Sequence, residues 1–171
     1  MSITALQPAQ DNRPDWDSAS TGLPASAEVL AAANINPRTG LATDYLNHFN
    51  EAIMLLELIP DMPDCYELFL EWQPLSYAEH FIKSNFKGRD LAIAAYEAAP
   101  FAVRTEFDAM ISKMTQILTT VGDAMRTVQQ DATRATLAEQ AAGWVKPMIG
   151  TTGGIINGRD DQSDVDTIMA Q

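Results

Sequence analysis

A chain of 171 residues with 46% hydrophobic residues has the size and composition of one globular domain with tails, which excludes a wholly disordered or fibrous polymer. Twenty-three acidic residues against eleven basic ones give a net charge of −12, which repels phosphate backbones and anionic lipid headgroups and predicts neither a nucleic-acid nor a membrane partner. With Cys65 as the single cysteine, no leader-like start and no apolar run of membrane-spanning length, the expectation is a cytoplasmic protein in which Cys65 is structural.

Residues 1–42 read as a mobile arm with one short helix. Pro, Ser, Thr, Asp and Gly alternate through residues 1–25 without apolar periodicity, and Trp16 is their only large apolar side chain. Ser26 is placed to cap a helix in "SAEVLAAAN", which the turn signal "NPRTG" ends.

From residue 43 the pattern becomes strongly helical. "TDYLNHFNEAIMLLELIP" offers Thr43 as a cap, Asp44 against the positive end of the dipole and Pro60 as the stop. Its second half is apolar nearly all round, which predicts a helix buried on several sides at the centre of a bundle. "PDCYELFLEWQP" is a second short helix between prolines, and "SYAE" at 76–79 is a capping box that starts a third. Gly88 interrupts that one, and "RDLAIAAYEAA" continues to Pro100.

The longest element starts at Pro100 and carries Phe107, Met110, Met114, Ile117, Val121, Ala124 and Val128 at spacings of three and four, widened by Ile111, Leu118 and Met125. Three apolar positions per heptad make a bundle-facing surface, and a homodimer built on the 107–128 face is a further option. Gly122 is its weak point. Beyond Asp131 the stripe thins to alanines, Gly143 and Pro147 close the helical pattern, and residues 143–171 read as a flexible glycine-rich linker with an acidic amphipathic tail. The expected fold is all-α, an antiparallel bundle of four to five helices over 43–142 with disordered N- and C-terminal segments.

Metal chemistry has one candidate. His48 and Glu51 stand a turn apart with Asp44 a turn earlier, and His80 is available to complete a set. Carboxylate-bridged bundles need a Glu-x-x-His on each of two helices, whereas the order here is His48-x-x-Glu51 without a partner motif. The expectation is no metal and no other cofactor, with His48 a surface histidine held by Asp44, and a metal-binding bundle as an alternative.

"HFIKS" places Lys83 one turn after His80 and follows it with Ser84. The stretch resembles the phosphoacceptor segment of histidine-phosphotransfer domains, which implies a four-helix bundle in which His80 exchanges phosphate with receiver domains while Lys83 steadies the phosphoryl group. It departs from that pattern because Ser76 caps the helix and leaves His80 in its first turn, and because Ser84 stands where a glycine is common.

The chain closes on "QSDVDTIM", in which Gln162, Asp164, Val165, Asp166, Ile168 and Met169 alternate acidic and apolar character. This segment is similar to the receiver-binding segments at the start of the flagellar switch protein and the end of the chemotaxis phosphatase. The resemblance implies a short helix that lays Val165, Ile168 and Met169 into a groove on a receiver domain while Asp164 and Asp166 meet basic residues at its rim. The phosphatase activity does not carry over, because no acidic residue is followed by glutamine four positions on; Gln116 and Gln140, for example, follow Ser112 and Thr136. The function expected is a non-enzymatic regulatory protein that binds a response-regulator receiver through this segment. A phosphorelay protein using His80 and Lys83, a metal-binding bundle and a plain scaffold or dimer are the alternatives.

Overall fold

A computed structural model describes residues 22–159. Among them all regular structure is helical, in seven α-helices and one 3-10 turn. No helix among the described residues is long and apolar enough to cross a membrane. The expected all-α class holds, with more helices than the four to five anticipated.

α1, Ala27–Ala32, is capped as expected, the Ser26 hydroxyl accepting from the Val29 N–H. Thr43 does not cap the central helix. It lies inside a 3-10 turn, Thr43–Tyr45, that leads directly into α2, Leu46–Leu58, just short of Pro60. α3 is Cys65–Glu71 and α4 is Tyr77–Lys83, whose capping box forms in full between Ser76 and Glu79. α5 is Arg89–Glu97, and α6 runs from Phe101 to Thr127 with Pro100 as its cap residue. α6 continues straight through Gly122, which is buried and leaves room for Phe69 and Leu70 of α3 to approach.

The stripe expected on α6 is real but rotated. Its buried line is Phe107, Met114, Leu118, Val121 and Met125, while Met110 and Ile117 lie at its edge. That line packs inside the chain, chiefly against α7.

The largest correction concerns residues 143–156. α7 spans Asp131–Ile156 and passes through Gly143, Pro147, Gly150, Gly153 and Gly154 without ending. Residues 128–130 break it from α6, so the two long helices form a hairpin rather than one rod. Four glycines and an internal proline each cost an isolated helix about 1 to 3 kcal/mol. Tertiary burial outweighs that cost here. Ala138, Ala141, Ala142 and Val145 form a small-residue face that lets α7 approach α6 and α2 closely, and Thr152, Ile155 and Ile156 are buried at its far end. That end is also fastened. The Thr39 hydroxyl donates to the Ile156 carbonyl at 2.6 Å, Arg38 donates to the Asn157 carbonyl, and Arg159 pairs with Glu106 of α6.

The core extends past the expected 43–142 unit on the other side too. Leu30, Ile35, Leu41 and Ala42 are buried, so residues 30–42 belong to the folded body and not to an arm. Gly40 shows why the chain turns there: its φ is +73°, and a Cβ would meet the Ala95 carbonyl oxygen at 2.8 Å. Residues 1–21 and 160–171 lie outside the described residues.

Candidate functional site

α2 packs against α7 and α3, and the turn Thr43–Tyr45 that leads into it contacts α4. Between α3 and α4 the chain is an extended strap, Trp72–Ser76, which owes its shape to Pro74 and to side chains that reach it from α2. The Leu75 N–H donates to His48 Nε2 at 3.0 Å, and the Leu75 carbonyl accepts from the Tyr45 hydroxyl at 2.6 Å. The Trp72 indole N–H donates to the His48 carbonyl at 3.1 Å. Strap and helix are thereby locked together by three bonds, and both polar groups of Leu75 are satisfied without any regular structure.

Aromatic packing completes the arrangement. His48 stacks on Trp72 with ring centres 4.6 Å apart, and Tyr45 sits edge-on to Phe49, Tyr77 and His80. The His48 and His80 rings lie 6.2 Å apart. Burial, with the nearby His80 and Lys83 adding to it, lowers the His48 pKa to about 4, so this imidazole is neutral under ordinary conditions. A neutral ring that accepts at Nε2 carries its proton on Nδ1.

Asp44 takes a different partner from the one expected. Its carboxylate meets His80 Nε2 at 2.9 Å and not His48, because the 3-10 turn swings it away from the α2 face and toward α4. Asn47 donates to the other oxygen of the same carboxylate. His80 falls in the first turn of α4, as the capping box requires, and is largely buried, whereas Lys83 is exposed. Glu79, on the outer side of that turn, has its carboxyl pKa held down by the Ser76 N–H it accepts from.

These elements border an open cavity of about 380 Å³. His48, Asn47 and Glu51 line it from α2, Glu71 and Trp72 from the end of α3 and the strap, and His80 and Lys83 from α4. Four of the sequence candidates, His48, Glu51, His80 and Lys83, therefore line one cavity. They do not meet as a metal set, since His48 Nε2 already holds Leu75 and His80 Nε2 holds Asp44; among the described residues no three of His, Cys, Asp or Glu converge. Trp72, Tyr45 and the strap carry the geometry and were missed as site residues. The only signal for them is the run "WQPLS", where a tryptophan two residues before a proline marks an extended segment with an aromatic anchor.

Cys65 opens α3 as expected and is partly buried against the core. The segment Gln162, Asp164, Val165, Asp166, Ile168 and Met169 lies outside the described residues. No protein-family model, curated protein or solved structure matches this chain.

Proposed function

We propose that this protein acts by binding a partner protein, that the partner is a receiver-type signalling domain, and that residues 162–169 make the contact. The observation that carries the reading is the sequence pattern of that segment, in which Val165, Ile168 and Met169 have the spacing that one side of a helical turn would require, with Asp164 and Asp166 interleaved. The fold is compatible with it. α7 is anchored up to Asn157 by Thr39 and Arg38, so a partner held by the following residues sits beside a firm helical body.

The environment of the histidines favours binding over phosphorelay. A phosphoacceptor stands open to an incoming aspartyl phosphate, whereas His80 is largely buried and a carboxylate that repels phosphate lies against its Nε2. His48 serves the strap.

The test is a titration of receiver domains, with and without a phosphoryl mimic, against the full chain and against a chain lacking residues 160–171. Three apolar side chains buried at about 25 cal/mol per Å², less the ordering of a dozen residues, give an expected affinity of about micromolar. Deleting the segment abolishes binding, Ile168→Ala weakens it mainly through faster dissociation, and Asp164→Asn slows association. Equal binding by the shortened chain would overturn the proposal.

A further inference from the structure

The cavity beside α2 plays no part in the function proposed above. His48 is 5% exposed and its Nδ1–H has no acceptor among the described residues, yet no fully buried side-chain nitrogen or oxygen there lacks a partner. That N–H is therefore accessible, and the open space His48 borders is the cavity it lines. His80 supplies the complement. When the His80 ring carries one proton and donates Nε2–H to Asp44, its lone pair lies on Nδ1, and His80 lines the same cavity with its ring 6.2 Å from that of His48. Asp44 fixes this tautomer of His80 just as the Leu75 N–H fixes that of His48.

We propose that this cavity binds a small neutral organic molecule through an amide-type edge, a carboxamide or lactam whose oxygen accepts from His48 Nδ1–H and whose N–H donates to His80 Nδ1. The wall carries charges of both signs, Glu51 and Glu71 against Lys83, so an anion and a cation each face a like charge, whereas a neutral amide uses the His48 donor and the His80 acceptor together. A metal ion finds only one free imidazole lone pair. The volume of about 380 Å³ is that of a small-molecule site, and the Trp72 ring on its wall suits a flat ligand.

The experiment uses three probes of one shape, benzamide, benzoate and benzylamine, titrated against the full chain above neutral pH. The readouts are the imidazole ring nitrogens of His48 and His80 by long-range proton–nitrogen correlation, and the Trp72 indole N–H by proton–nitrogen correlation. Benzamide is expected to bind at about millimolar and to shift ring nitrogens of both histidines, with benzoate and benzylamine at least about tenfold weaker. His48→Phe keeps a ring on Trp72 and loses the donor, so benzamide affinity falls about tenfold. If that variant does not fold, the ring nitrogens of the native chain decide. Equal binding of benzoate or benzylamine, or benzamide binding that moves neither imidazole, would overturn the proposal.

Discussion

His48 shows how one side chain couples packing to acidity. Its imidazole is buried against Trp72 and spends its only lone pair on the Leu75 N–H, so protonation breaks that bond and places a charge near His80 and Lys83. The pKa is lowered from 6.5 to about 4, so the unfolded chain takes up this proton first. Stability from His48 is complete above the unfolded value and drains away as pH falls from there toward the folded one, by roughly 3 kcal/mol for a shift of this size. Urea denaturation across that range measures it, and His48→Phe is expected to flatten the slope. The site was half legible at this scale. His48, Glu51 and His80 could be nominated from their type and spacing, but the preference of Asp44 for His80 follows from a 3-10 turn that no propensity announces, and Trp72 acts through a strap whose shape depends on bonds from another helix.

At the scale of elements, short helices with clear caps were readable and the long one with poor propensity was not. Ser26 and the Ser76–Glu79 box satisfy backbone donors within three residues of themselves, so their helices declare themselves locally. α7 depends on distant partners instead. Nothing in "GWVKPMIGTTGGII" records that Thr39 waits for the Ile156 carbonyl or that an alanine face meets α2, so a local reading breaks the helix where the structure continues it. The glycines leave room for improvement. A Cβ at Gly143 or at Gly150 would meet no atom within 4 Å, and neither needs a positive φ. Gly143→Ala and Gly150→Ala should each raise stability by about 0.5 to 1 kcal/mol, read as a higher urea midpoint with unchanged slope. A loss at either position would mean that α7 does not run unbroken through it.

Across the whole molecule, the seam between Thr39 and Ile156 joins residues 117 positions apart, while α6 and α7 meet through a connection of only three residues. Bringing together the ends of so long a loop has an entropic cost that must be met before any contact there offsets it, whereas the hairpin can form early from neighbours in sequence. The seam should therefore be absent from the rate-limiting state of folding. Thr39→Val leaves the Ile156 carbonyl without its donor, and stopped-flow measurements should find refolding nearly unchanged and unfolding about tenfold faster. Thr39 then acts as a latch: it sets how long the assembled molecule persists, and has almost no say in how quickly it assembles.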